Sequence, residues 1–181
     1  MLGGLARRAT LLKNLQNQGD PCIAVDSGDL FFDTTTVEAD VKKVLTKARL
    51  IAQAYKKMGI VAVNVGDRDL SQGLDFLKQE AARGLPLISA NLVDAVQRKP
   101  IFPPSVIREI AGVRIAFVGL LQSPRIPAIE KSLEGKAAVE DPMEALQKVM
   151  TELKGKADLI LLLSDLGWDQ DVRIAKEVAG I

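Results

Sequence analysis

The sequence predicts an α/β fold, a mostly parallel sheet flanked by helices with one antiparallel hairpin. Three observations predict it. Apolar runs at 23–25, 60–65 and 159–163 alternate with stretches of helical periodicity. Each run stops at a turn bearing carboxylates: Asp26 and Asp29, Asp67 and Asp69, Asp165 and Asp169. Two further runs, 105–110 and 113–120, are joined only by Ala111-Gly112, which reads as a hairpin.

The elements come in order. Leu5, Leu11, Leu12 and Leu15, with Arg7, Arg8 and Lys13 between them, predict an amphipathic helix that Gly19-Asp20-Pro21 ends. A strand at 22–26 opens on Cys22, a small residue suited to burial. Thr34-Thr35-Thr36 offers an N-cap for a helix that buries Val41, Val44, Leu45, Ala48, Ile51, Ala52 and Tyr55. Gly59 breaks it before the β-branched strand 60–65. Ser71 is the expected cap of a helix whose inner face is Leu74, Leu77 and Ala81. A short strand 86–89 runs into Ala90-Asn91-Leu92, and the hairpin comes next. A loop with Pro124 and Pro127 leads to Asp141-Pro142-Met143-Glu144, where Asp at the N-cap, Pro at the first helical position and Glu at the third mark a helix start. The apolar strand 159–163 and a helix at about 170–179 close the chain. No linker divides it, so 181 residues are read as one domain.

Composition excludes several functions. Lys plus Arg is 24 against Asp plus Glu 23, so net charge gives no case for a nucleic-acid polymer or an anionic membrane. Aromatics are 4%, too few for base-stacking platforms. No apolar run reaches the roughly 18 residues of a membrane span, and Met1-Leu2-Gly3-Gly4 leads into a basic helix without an export-signal pattern. One cysteine excludes an internal disulfide. Histidine is absent, which removes the commonest general base and metal ligand together and excludes a Ser–His or Cys–His nucleophile.

If the acid-ended strands are parallel, their turns share one sheet edge, where α/β folds bind ligands. Gathered carboxylates repel one another until a cation, a proton, solvent or helix N-termini compensate them. Oxygen-only ligands favour Mg, Mn or Ca over Zn. Capping and turn roles are the competing account, since Asp is common in both.

The ordered set of segments resembles the calcineurin-like metallophosphoesterase domain of bacterial 5′-nucleotidases and related cyclic phosphodiesterases. Gly3-Gly4-Leu5-Ala6-Arg7 looks like that family's Gly-Gly-x-Ala-Arg helix start, and Val25-Asp26-Ser27-Gly28-Asp29 like its Asp-x-Gly-Asp strand end. Residues 58–66 look like the run into its Gly-Asn-His-Glu motif; Gly73-Leu74-Asp75 and Ser89-Ala90-Asn91-Leu92 fit the family's next segments. Leu163-Ser164-Asp165-Leu166-Gly167 stands where the family has Leu-Ser-His-Leu-Gly. Its first motif, Asp-x-His, would precede Gly3 and its last, Gly-His-x-His, would come after Ile181, so the resemblance implies an incomplete domain over 1–181. Such a domain leaves an apolar sheet face or edge open, and self-association or a longer parent chain is expected.

The resemblance also implies a site. Asp29 matches the metal-bridging aspartate, Asp67 replaces a metal-binding Asn, and Asp165 replaces a metal-binding His; these are the expected metal ligands, for Mn or Mg rather than Zn. Arg68 replaces the catalytic His and Asp69 the Glu, and both are assigned to the catalytic position. Arg68 and Asn91 are assigned to phosphate, although an Arg cannot donate a proton at neutral pH. The implied function is a metal-dependent, 5′-nucleotidase-like phosphoester hydrolase, weak or inactive for want of the family's histidines. The alternative is a non-catalytic ligand- or partner-binding domain on the same scaffold. A nucleotide or other phosphate ester is the implied substrate, and a bacterial extracytoplasmic place is implied by the resemblance alone.

Overall fold

The computed structural model describes residues 4–19, 21–32, 40–124 and 126–181. In chain order the elements are α1 (Leu5–Gln16), β1 (Val25–Asp26), α2 (Val41–Lys57), β2 (Ala62–Asn64), a 3₁₀ turn (Arg68–Leu70), α3 (Leu74–Ala82), β3 (Leu87–Ile88) and β4 (Leu92–Asp94). They continue with β5 (Ser105–Ile110), β6 (Val113–Leu121), α4 (Pro127–Leu133), β7 (Ala137–Val139), α5 (Pro142–Leu153), β8 (Leu159–Asp165) and α6 (Trp168–Glu177).

The strands divide between two principal sheets. The first, ordered β1-β2-β3, is parallel throughout. The second, ordered β5-β6-β8, combines the expected antiparallel hairpin with a parallel β6–β8 pair. A small antiparallel pair, β4–β7, had no sequence signal beyond the short runs Leu92-Val93 and Ala137-Ala138-Val139.

Alternation along the strands builds the layers. Val63 and Val65 face one way, into a core with Ala48, Ala52 and Tyr55 of α2 and Leu74 and Leu77 of α3. Ala62 faces the other way and meets Ile88, Phe117 and Leu163 between the two sheets. On β6, Ala116, Val118 and Leu120 point outward to Ala145, Leu146 and Val149 of α5. The result is helices, sheet, sheet, helices.

Several local expectations are met and several corrected. Asp141 Oδ1 accepts from Glu144 N at 3.0 Å, with Pro142 opening α5. The Thr34–Thr36 cap lies outside the described residues; α2 starts at Val41, where Asp40 Oδ1 accepts from Lys43 N at 3.0 Å. Ser71 ends the 3₁₀ turn instead of capping α3, which Gly73 precedes. The expected loop at Pro127 is helix α4, with that proline in its first turn, the place where a missing N–H costs nothing. On α1, Leu5, Ala9 and Leu12 pack against the core, whereas Leu11 and Leu15 are exposed. Val25 on edge strand β1, and Leu159 and Leu161 on edge strand β8, are also exposed.

Candidate metal centre

The turn after β1 and the turn after β2 touch backbone to backbone. Gly28 has φ +116°, and a Cβ there would lie 2.8 Å from Gly66 N; a Cβ on Gly66 would run into Asp29. Two glycines at this crossing therefore let the turns close on each other. Asp29 itself takes a left-handed φ of 57°, a conformation that Asp tolerates better than most residues.

One carboxylate oxygen from each of Asp29, Asp67 and Asp165 lies within 4.8 Å of the others. They come from three different strand ends, after β1, after β2 and at the end of β8. Asp67 N donates to Asp165 Oδ2 at 2.8 Å, and Arg68 N donates to Asp29 Oδ1 at 3.0 Å. Burial pushes the Asp165 carboxyl up to about 6, and the negative charges of Asp29 and Asp67 add to this. Asp29 is raised too, first by burial. The cluster thus holds more negative charge than its surroundings compensate. Arg68, half exposed, supplies part of the compensation, with Nε 3.3 Å from Asp29 Oδ2. Three oxygen donors converging from three strand ends fit a hard divalent cation.

The other sequence-predicted residues are placed differently. Asp69 is 1% exposed and turned inward, accepting from Phe31 N at 2.9 Å and Gly66 N at 3.0 Å. It clamps the two turns together and does not face the cluster, so its assignment to catalysis is corrected. Burial pushes its carboxyl up to about 7 against those two hydrogen bonds. Asn91 is fully buried; Nδ2 donates to Leu121 O (2.7 Å) and Glu140 O (3.1 Å), and Oδ1 accepts from Leu121 N (2.9 Å). Both Nδ2 protons being spent on backbone, it has none for a phosphate, and that assignment is corrected as well. Asp169 sits in the first turn of α6.

Sequence reasoning missed two arrangements. Tyr55 donates to Asp26 Oδ2 at 2.7 Å, Arg8 donates to the Tyr55 hydroxyl, and the Arg8 guanidinium lies 5.5 Å from the Tyr55 ring centre. This trio fastens α1 to β1 and borders a cleft of about 460 Å³ that reaches Asp29. The second is Asn64, fully buried between the sheets, whose only sequence signal was a lone amide inside a β-branched run.

No family model matches the chain. It is 27% identical over 182 residues to the 2′,3′-cyclic-nucleotide 2′-phosphodiesterase/3′-nucleotidase of Salmonella typhimurium, covering 93% of this chain and 28% of that protein. It is 30% identical over 175 residues to the 5′-nucleotidase of Vibrio cholerae, covering 93% of this chain and 31% of that protein. The calcineurin-like phosphoesterase YfkN from Bacillus subtilis superposes with a TM-score of 0.78 at 24% identity, over 98% of this chain and 61% of the solved one. The chain spans less than a third of the length of these two curated relatives.

Proposed function

For a chain that has the calcineurin-like phosphoesterase fold and resembles bacterial nucleotidases along 93% of its length, we propose a metal-dependent phosphoester site of reduced catalytic power. Asp29, Asp67 and Asp165 would hold one divalent cation, Mn or Mg in preference to Zn. The observation that carries this reading is the convergence of three carboxylate oxygens within 4.8 Å from three separate strand ends. A bound cation supplies Lewis-acid polarisation of a phosphoryl oxygen.

The protein's own part is to bind and orient. Arg68, half exposed at the cluster beside Asp29, would hold a phosphate oxygen through its guanidinium. The cleft beside Asp29 admits the rest of a phosphate ester, with a nucleotide as the substrate suggested by the relatives' names. Proton transfer is the weak step. Histidine is absent, and Arg68 cannot give up a proton near neutrality. Hydrolysis is accordingly slow or absent. An extracytoplasmic place, and self-association through exposed edge residues such as Leu159 and Leu161, belong to the same proposal. Among the described residues no helix is long and apolar enough to cross a membrane.

The ion pair between Arg68 and Asp29 favours a second reading, a non-catalytic binding domain in which the guanidinium stands in for a metal. Calorimetry with Mn²⁺ separates the two, using this protein and its Asp29→Ala variant. Micromolar binding lost in the variant supports the metal site; no binding to either leaves the second reading. A nucleotidase and phosphodiesterase assay with added Mn²⁺ then tests turnover, and rates of an ordinary enzyme would overturn the weak-site reading.

A further inference from the structure

We infer that Asn64 is the positioning residue of the acid cluster, setting the distance between its three carboxylates without touching them; this rests on the metal-site reading. The side chain is completely buried on the inter-sheet face of β2, the face that also carries Ala62. Its Nδ2 donates to Ser27 O at 3.0 Å and to Leu120 O at 2.8 Å. Ser27 stands two residues before Asp29. Leu120 pairs in register with Ser164, the neighbour of Asp165. Asn64 itself lies three residues before Asp67. One amide therefore joins two of the segments that deliver the carboxylates, those of Asp29 and Asp67, to β6, the strand whose ladder holds the third on β8.

The backbone ladder beside it is short. β1 and β2 pair through only Val25↔Ala62 and Asp26↔Val63, and both strands end before the acids Asp29 and Asp67. The ladder cannot fix positions beyond its own end, so the separation of the turns falls to side chains. Between the sheets Asn64 Nδ2 bridges to Leu120 O of β6, beside the backbone bond from Ala90 N to Gly119 O and the bond from Asp67 N to Asp165.

The orientation of the amide supports the assignment. Oδ1 finds no donor in its buried place. It rests against Gly119, where a Cβ would come within 2.5 Å of it and 2.9 Å of Ile88 O. An orphaned buried oxygen is costly, and a leucine here would remove it. What a leucine would forfeit is the pair of Nδ2 bonds to Ser27 and Leu120. The cost is accepted where those two carbonyls must be held together, and Gly119 supplies the room.

The test is Asn64→Leu, with Asn64→Thr as the milder change that keeps one hydroxyl donor. Leu146→Val, in the core beneath α5, serves as a control that destabilises without touching the turns. Mn²⁺ affinity is measured for each protein at a temperature where all are folded, together with amide resonances of Asp29 and Asp165. Affinity at least ten-fold weaker in Asn64→Leu, partly restored in Asn64→Thr and unchanged in the control, supports the positioning role. Binding equal to the parent in Asn64→Leu overturns it, as does an equal loss in the control. If Asn64→Leu does not fold, the same comparison of Asn64→Thr with the control decides. If the parent protein binds no Mn²⁺, the metal reading fails and the resonances decide alone. Shifts at both Asp29 and Asp165 beyond those of the control then support positioning, and unshifted resonances overturn it.

Discussion

The two main sheets hold their ends in opposite ways. In the second, β6 runs nine residues and pairs with β5 on one side and β8 on the other, six and seven pairs long. Its geometry is carried by backbone ladders. In the first, strands are two or three residues long, and the turns beyond them are fixed by buried side chains bonded to backbone: Asp69 to Phe31 and Gly66, and Asn64 to Ser27. Two of the three clustered acids, Asp29 and Asp67, hang from the first sheet. A site built this way can be retuned by single side chains, and its geometry and stability are linked.

The largest test of that contrast is Asp69→Ala. It orphans two buried backbone donors, Phe31 N and Gly66 N, each worth about 1–3 kcal/mol, so a loss on the order of 3 kcal/mol is expected by urea denaturation. The counterpart on the second sheet is Asp158→Ala. Asp158 also accepts from backbone, Arg114 N at 2.9 Å, and from the Arg114 side chain, but at an exposed place where water substitutes. Its unfolding midpoint should fall far less than that of Asp69→Ala. Equal losses in the two variants would remove the distinction between the sheets.

Proton linkage gives the next effect. Asp69 titrates near 7 and Asp165 near 6 in the folded protein, both raised by burial from about 3.8. Between these values the folded state binds more protons than the unfolded one. The stabilisation is full below pH 4 and is lost as pH rises through 6 to 7, at up to about 1.4 kcal/mol per pH unit for each proton. In metal-free buffer the urea midpoint should be higher at pH 5 than at pH 8, and Asp69→Asn should flatten much of the slope. Asp158, held down to about 2 by Arg114, acts with the opposite sign and only in strong acid, its contribution disappearing as pH falls through 2. A midpoint that climbs from pH 5 to pH 8 would contradict the burial of Asp69 and Asp165.

The same contrast explains what was legible in the sequence. The second sheet announces itself, because a long apolar run such as 159–163 and a two-residue turn at Ala111-Gly112 are local signals. The acids Asp29, Asp67 and Asp165 were legible as a recurring strand-end pattern, and the structure brings them together. The direction of a side chain was not legible. Asp69 lies two residues from Asp67 but points inward, because the 3₁₀ turn Arg68–Leu70 rotates it under the cluster. Asn91 lies beside β4, and its amide is spent on Leu121 at the end of β6 and on Glu140, just beyond the unforeseen partner strand β7. Both errors come from partners distant in sequence, which no local pattern encodes.

Arg68→Gln probes the cluster with a smaller effect. Removing a guanidinium 3.3 Å from Asp29 Oδ2 frees that carboxylate from a competing cation. For a pair near the surface such competition amounts to a kcal/mol or so. Mn²⁺ should therefore bind several-fold more tightly to the variant. Weaker binding would mean that Arg68 orders the ligands through Asp29 and does not compete with the ion.

The smallest effect belongs to the second sheet and asks whether it is independent of the first. Ala111 and Gly112 both take left-handed backbone, φ 51° and 83°, as the two central residues of a primed hairpin turn. The Ala111 methyl is strained there by about 1 kcal/mol. Ala111→Gly relieves that strain but enlarges the freedom of the unfolded chain, so the net gain should be about 0.5 kcal/mol. Mn²⁺ affinity should not change, because the hairpin tip is at the far end of β6 from Leu120 and Leu121, where the ties to Asn64 and Asn91 are made. A change in affinity would show that strain at the tip travels the length of the ladder, and that the second sheet also sets the geometry of the acids.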